Sequence, residues 1–410
     1  MPEIPAPERR PAPVESPAGS TASHDVPATS RLHPVMWLRA IGIAVVAAAI
    51  VSLVLLAFSW PTVTAEAKNL PVAVVGSQKQ IDQLEDSAPD GLLDVREADS
   101  RAAAVDQIRH RDVYGAVIIS GDSPEILTAS AGSPAVAQQL KTMGTQMQLK
   151  IDAQALEGMQ SALGKMQKAM QSAQSGAGQS GAGQGSQSSS SQSSDSKSST
   201  SKSAAKQEVP NITVTDIVPL NDNDPNGSGL AIAGLPLTIG GIVGGVLIST
   251  LVHSRRMRVV AVIAYGAVGG LALAGILQGW FGILQGSFGL NMLATGLAIA
   301  STAAIVNGFV SLIGPAGIAL GALLTMFVGN PISSLSQPKE FLAWHWGEIG
   351  QYFVPGAAGT LLRDLSYFPD APLGQAWWTL IAWTLAGLVL IVVGHLIAKA
   401  KERGAHRGRH

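Results

Sequence analysis

The sequence predicts an α-helical polytopic membrane protein with six transmembrane helices, and with an α/β extracytoplasmic domain plus a long helix between spans 1 and 2. Of the 410 residues, 47% are hydrophobic and only 13% are charged, whereas a soluble domain carries about 25% charged residues. This composition excludes an ordinary cytosolic enzyme and also a disordered chain. The net charge of −1 gives no sign of nucleic-acid binding. The absence of cysteine excludes disulfides and cysteine-ligated metals.

Composition divides the chain into five consecutive parts. Residues 1–35 are rich in Pro, Ser and Ala and are predicted to form a disordered cytoplasmic tail. Residues 36–60 contain an apolar run that is long enough to cross a hydrocarbon core of about 30 Å. Because the apolar core of a signal peptide is only about 7–15 residues long, we favour an uncleaved anchor over a signal peptide. The other three parts are an extracytoplasmic domain (61–228), a five-helix transmembrane domain (229–398) and a basic cytoplasmic tail (399–410).

Short apolar strands alternate with short helices in the first half of the extracytoplasmic domain, which predicts a small α/β unit. Ser100 is placed to cap the second of these helices, because serine is a favoured N-cap residue. The predicted strands are residues 70–75, 92–95, 113–119, 125–129 and 211–218, and the predicted short helices are residues 78–87 and 100–110.

A long helix is predicted over residues 134–174, where apolar side chains recur every three or four positions. The stripe fits a helix that packs on its own domain, and it also fits a coiled coil with another chain. Because the stripe is rich in methionine, which specifies partners poorly, both interpretations stay open. A Ser/Gly/Gln linker at residues 175–206 follows the helix.

Five more apolar runs predict spans 2 to 6, at residues 230–252, 259–281, 291–313, 315–328 and 377–397. An external helical loop, residues 329–376, is predicted to precede the last span. Basic residues concentrate on the cytoplasmic side of a membrane, and six spans place every basic cluster on that side. The predicted location is therefore the plasma membrane, with both termini cytoplasmic and residues 61–228 outside. The basic residues at these edges are Arg31, Arg39, His253, Arg255, Arg256, Arg258, Lys399, Lys401, Arg403, Arg407 and Arg409.

The predicted spans carry almost no charge. Residues 259–338 contain no Asp, Glu, Lys, Arg or His, and such side chains are what ion-coupled carriers use as relays. The polar residues that remain are predicted to join helices by hydrogen bonds rather than to line a substrate path. Small residues spaced four apart predict close helix packing. These helix-packing candidates are Gly240, Gly244, Gly266, Gly270, Gly317 and Gly321.

The sequence offers no set of residues for catalysis or for binding a cofactor. A phosphate-binding loop of the form G-x-x-x-x-G-K-[ST] is missing. His345 and Glu348 have the spacing of helical metal ligands, but further ligands are missing nearby, which favours a surface pair. We therefore expect no catalytic residue, no cofactor and no metal.

Three stretches carry a resemblance to a known family. Residues 70–75 look like an opening strand, residues 106–120 contain a Tyr114-Gly115-Ala116 element, and residues 350–356 are followed by Arg363. Their order, together with the predicted topology, resembles permeases of the type-2 ABC transporter superfamily, and most closely its phage infection protein-like branch.

The resemblance implies the permease subunit of an ABC-type exporter that moves an apolar or lipid-like substrate outward as a homo- or heterodimer. It also implies a separate ATPase subunit, because this chain holds no ATPase domain. The implied docking residues are His253, Arg255, Arg256 and Arg258. The alternative is a non-transporting envelope scaffold or receptor, such as a phage receptor or secretion accessory, that docks through its external domain. A membrane enzyme has no residues to support it.

Overall fold

The computed structural model describes residues 34–89, 91–119, 124–176 and 211–407. The predicted disordered tail and Ser/Gly/Gln linker lie almost wholly outside these ranges. Two compact units are distinguished, residues 1–53 and 54–410. Helix α1 (Pro34–Val63) contains the predicted first span. All further description concerns the second unit.

The α/β unit contains the strands and helices that the sequence predicts, and strand β1 and helix α2 have the predicted bounds. In helix α3, Ser100 Oγ accepts a hydrogen bond from the Ala103 backbone N–H at 3.2 Å, which confirms the predicted N-cap. In chain order the elements are β1 (Leu70–Val75), α2 (Gln78–Ser87), β2 (Leu93–Glu97), α3 (Arg101–Arg109), β3 (Gly115–Ile118), β4 (Glu125–Thr128), α4 (Pro134–Gly176) and β5 (Thr213–Asp216).

The five strands form one sheet in the order β2-β1-β3-β4-β5. Strands β2, β1 and β3 run parallel, β4 runs antiparallel to β3, and β5 runs parallel to β4. Alternate side chains enter opposite faces, as the period of two in a strand requires. Ile108 of α3 packs on one face, and Leu84 of α2 and Leu140 of α4 pack on the other.

Helix α4 changes character along its length. Val136 and Leu140 are buried against the sheet. A Cβ atom on Gly144 would lie 2.7 Å from Ile126 Cδ1, so the helix approaches the sheet closely there. From Leu156 to Ser172, by contrast, every side chain is exposed. The first part of the helix therefore packs on its own domain, and pairing of the remainder with another chain stays a prediction.

The second half of the chain is a helical bundle. Four of its described helices are long and apolar enough to cross a membrane: Ser228–Leu251, Arg255–Trp280, Phe288–Ile313 and Gly374–Lys401. The chain therefore has the architecture of a helical membrane protein. The elements are α5 (Ser228–Leu251), α6 (Arg255–Ala274, continued by a π-helical turn to Trp280), α7 (Phe288–Ile313), α8 (Ala316–Ala322, continued by a π-helical turn to Gly329), α9 (Trp346–Gly350), α10 (Val354–Tyr367) and α11 (Gly374–Arg407).

Helix α7 is the centre of the bundle. Most of its side chains are buried, and it packs against α5, α6, α8, α10 and α11. The predicted fifth span corresponds to α8 and its π-helical turn, which form an apolar helix shorter than the four long ones.

Helix α10 lies within the predicted external helical loop, residues 329–376. Leu361 and Leu362 are fully buried in the same core as Leu230 of α5 and Leu380 of α11. The helix thus belongs to the bundle core, because its apolar face is covered by three of the long helices.

Candidate functional site

A polar cavity of about 300 Å³ lies where the α/β unit meets the segment that precedes α11. One wall comes from β1, β2 and the turn between α3 and β3. The opposite wall comes from residues 334–340, from α10 and from the first turn of α11. Side chains from distant parts of the sequence therefore converge here.

Two phenylalanines hold the α/β unit to this segment. Phe341 is buried in the core on the face covered by α2 and α4, whereas Phe368 is buried in the core on the face covered by α3. The segment between them contains α9 and α10. Because the sheet is contacted on both faces, its position over the cavity is fixed by apolar packing.

Arg111 reaches the cavity from a turn with unusual backbone geometry. Helix α3 ends with His110 as its C-cap, and Arg111 follows with a φ of 61°. This position usually holds glycine, because a side chain in the left-handed region costs about 1–2 kcal/mol. The conformation directs the Arg111 side chain to α10.

Arg111 forms an ion pair with Asp364 of α10, across 253 positions of sequence. The two side chains are only 17% and 7% exposed. The Arg111 guanidinium also lies over the Phe368 ring, 5.3 Å from its centroid. Burial raises the pKa of Asp364, because the attraction of Arg111 only partly offsets the loss of hydration.

A second buried contact joins Tyr114 to Glu340. The Tyr114 hydroxyl donates to Glu340 Oε2 at 2.9 Å. Burial, followed by the field of Glu340, raises the pKa of the Tyr114 phenol. Tyr114 therefore stays neutral and acts as a hydrogen-bond donor at physiological pH.

Arg363 is the cation of the cavity that lacks a paired carboxylate. Its Nη2 atom donates to the Leu335 carbonyl at 2.7 Å, and among the described residues it has no ion pair within 4.0 Å. Burial, together with repulsion from Arg111, lowers the pKa of Arg363 to about 10. The side chain therefore remains charged at neutral pH.

The predicted ATPase-docking residues lie at the opposite end of the bundle. Arg255 Nη1 donates to the Gly394 carbonyl of α11 at 3.2 Å. Arg258 donates to the Val252 and Ser249 carbonyls at the end of α5, both at 2.8 Å. Both guanidinium groups thus donate to backbone carbonyls of α5 or α11, whereas His253 and Arg256 are exposed.

The predicted packing glycines lie at helix contacts. A Cβ atom on Gly270 would lie 2.5 Å from the Met292 carbonyl oxygen of α7, and one on Gly266 would lie 2.9 Å from Ala300 Cβ. Gly240 accepts a hydrogen bond from the Tyr265 hydroxyl at 2.7 Å. A Cβ atom on each of the other three glycines would also lie too close to a neighbouring residue. The residue is Tyr265 for Gly244, Phe309 for Gly317 and Val306 for Gly321.

The predicted surface pair is present. His345 Nδ1 lies 3.2 Å from Glu348 Oε2, and both side chains are largely exposed. Within the described ranges, groups of three or more potential metal ligands are absent.

The sequence did not single out the Arg111–Asp364 pair or Glu340 as site residues. A signal was nevertheless present, since residues 106–120 and Arg363 belong to stretches that carry the family resemblance. The structure brings those stretches together around one cavity. No protein-family model, curated protein or solved structure matches this chain.

Proposed function

We propose that the chain is the membrane-spanning permease subunit of an ABC-type exporter, and that it moves an apolar or lipid-like substrate outward with a separate ATPase subunit. The observation that carries the proposal is the absence of ionisable side chains from a long part of the bundle. Residues 259–338 hold no Asp, Glu, Lys, Arg or His. This part of the bundle therefore lacks the relays that proton- or sodium-coupled carriers use, which favours a separate subunit as the source of energy for transport.

Two polar side chains of α7 support this view because they contact carbonyl groups of neighbouring helices. Ser301 Oγ lies within 2.9 Å of the Leu380 carbonyl of α11. Asn307 Nδ2 donates to the Gly245 carbonyl of α5 at 3.0 Å. These contacts favour the predicted role in joining helices over a polar substrate path.

The positions of the helix ends support the six-span orientation that we propose. The contact between Arg255 and Gly394 brings the start of α6 and the C-terminal part of α11 to one end of the bundle. The α/β unit contacts the N-terminal end of α11, because Ala371 and Phe368 lie in its core. Basic residues and the α/β unit are thus at opposite ends, as a cytoplasmic basic face and an external domain require.

Co-purification in lipid tests the proposal. We expect an ATPase subunit to co-purify with the full chain, and its ATP turnover to rise when the chain is present. Charge reversal at exposed Arg256 (Arg256→Glu) should weaken this association, whereas Arg101→Gln, on the α/β unit, is the matched control and should not. If no ATPase associates and deletion of the chain leaves efflux unchanged, the permease proposal fails.

One observation favours the second candidate, a non-transporting scaffold or receptor. The distal part of α4 exposes a stripe of large apolar side chains, among them Leu156, Met159, Leu163 and Met166, each more than half exposed. Exposed apolar surface of this kind often marks a docking site. Substitution of Leu156 and Leu163 with glutamine separates the candidates, because a scaffold should lose its function while a permease should retain ATPase stimulation.

A further inference from the structure

We propose that the cavity between the α/β unit and α10 binds a small anionic group, a carboxylate or a phosphate, with Arg363 as its anchor. This inference does not depend on whether the chain transports anything. It starts from the pairing of the charges that line the cavity, where four cations and three carboxylates are found. The cations are Arg96, Arg111, Lys339 and Arg363, and the carboxylates are those of Asp112, Glu340 and Asp364.

Among the described residues, Arg363 is the cation of this cavity without an ion pair, since Arg96 lies 3.6 Å from Asp94. Asp364 is paired with Arg111, and Glu340 accepts from Tyr114 and lies 4.0 Å from Lys339. Arg363 gives one hydrogen bond, to the Leu335 carbonyl, although a guanidinium carries five N–H donors. The planar arrangement of those donors matches carboxylate and phosphate oxygens in pairs. A bound anion would also offset the repulsion by Arg111 that, with burial, lowers the pKa of Arg363.

The start of helix α11 adds a second positive contribution. Gln375 and Ala376, in the first turn of this 34-residue helix, line the same cavity. The N-terminal end of a helix carries a partial positive charge from the aligned peptide dipoles, and its N–H groups favour anions. Two independent elements, the Arg363 side chain and the α11 backbone, therefore favour the same ligand charge.

The size and position of the cavity restrict the ligand. A volume of about 300 Å³ is at the lower end of the range for small-molecule sites, so it suits one compact anionic group. The cavity adjoins Gly374, where a candidate membrane span begins. The phosphate of a lipid headgroup and a free small anion share the required chemistry.

Binding measurements on the full chain test the proposal in two arms. In the first, inorganic phosphate is titrated into the chain in phosphatidylcholine nanodiscs and followed by calorimetry. In the second, retention of phosphatidylglycerol by the detergent-purified chain is measured by native mass spectrometry. We expect at least one probe to bind, and Arg363→Gln to weaken that binding at least tenfold. Arg101→Gln is the matched control, because Arg101 pairs with Glu125 outside the cavity, and it should leave binding unchanged.

A steric variant keeps the test decisive if Arg363→Gln fails to fold. Gln375→Trp retains every charge and places a large side chain at the exposed rim of the cavity, so it should also weaken binding. Phosphate binding alone would identify a free anion, and phosphatidylglycerol retention alone would identify a lipid headgroup. The proposal is overturned if neither probe binds the unmodified chain, or if the folded variants bind as tightly as it does.

Discussion

The helical bundle and the junction bury polar groups in different ways. The junction is the region around the polar cavity, where the α/β unit meets residues 334–376. In the bundle, the polar side chains of α7 are neutral, and Ser301 and Asn307 hydrogen-bond to carbonyl groups of neighbouring helices. In the junction, the buried groups include ions, and Arg111 and Asp364 pair with each other. Neutral hydrogen bonds suit a lipid-facing bundle, where an ion is costly. A buried ion pair close to solvent instead favours the arrangement of the α/β unit and α10 that brings its two charges together.

The largest predicted effect is at the ion pair. Asp364→Leu should lower the free energy of unfolding by about 3–5 kcal/mol, because Arg111 would keep a buried charge without a partner. Thermal unfolding of the full chain in one detergent, with thermolysin protection of the α/β unit, measures the loss. The double variant Arg111→Met with Asp364→Leu should recover most of it, since apolar side chains can replace a buried pair at little cost. A double variant as unstable as the single one would contradict this account of the junction.

Close packing inside the bundle should give the next largest effect. Gly270→Ala should lower the free energy of unfolding by about 2 kcal/mol, because overpacking forces neighbouring atoms apart. The added Cβ would meet the backbone of Met292 and Gly296, which cannot rotate away. Gly275→Ala, in the π-helical continuation of α6, is the matched control, since its Cβ would meet no neighbouring element within 4 Å. Equal thermal stability of the two variants in detergent would show that α6 and α7 do not pack as described.

Tyr114→Phe should have a smaller effect that is confined to the junction. We expect the free energy of unfolding to fall by about 1.5 kcal/mol, because the charged Glu340 carboxylate would lose the hydrogen bond that it accepts from the Tyr114 hydroxyl. The side chain of Glu340 is only 15% exposed, so water replaces the hydroxyl poorly. Thermolysin digestion should then release the α/β unit earlier than in the unmodified chain. Unchanged protection in Tyr114→Phe would mean that this contact does not help to hold the unit.

Ser301→Ala should have the smallest effect. Hydrogen bonds between membrane helices contribute about 0.6 kcal/mol on average, and Ser301 lies between carbonyl groups of its own helix and of α11. The thermal midpoint in detergent should therefore fall only slightly. A loss as large as that of Asp364→Leu would remove the contrast between bundle and junction.

Local features of the fold could be predicted from the sequence, whereas long-range contacts could not. Strand β1 and helix α2 follow from apolar runs and polar breaks within about ten residues, and Ser100 caps its helix through a hydrogen bond to Ala103. The burial of α10 follows from three other helices that cover it. The residues of α10 itself do not indicate that these helices are present.

The candidate site shows the same limit. The pairing of Arg111 with Asp364 joins residues 253 positions apart, and the left-handed conformation of Arg111 falls on a residue that does not favour it. Only the stretches that carry the family resemblance pointed to this region, and they did not predict that Arg111 pairs with Asp364.

We propose that a charge-poor bundle spans the membrane between an external α/β unit and a cytoplasmic basic face. Since the chain contains no cysteine, single cysteines introduced by Lys79→Cys on α2 and Arg256→Cys in the first turn of α6 provide unique labels at two exposed positions. In intact cells, a membrane-impermeant maleimide should label the Lys79→Cys chain, and it should label the Arg256→Cys chain only after the membrane is permeabilised. Equal labelling of both variants in intact cells, or labelling of Arg256→Cys alone, would contradict the claim.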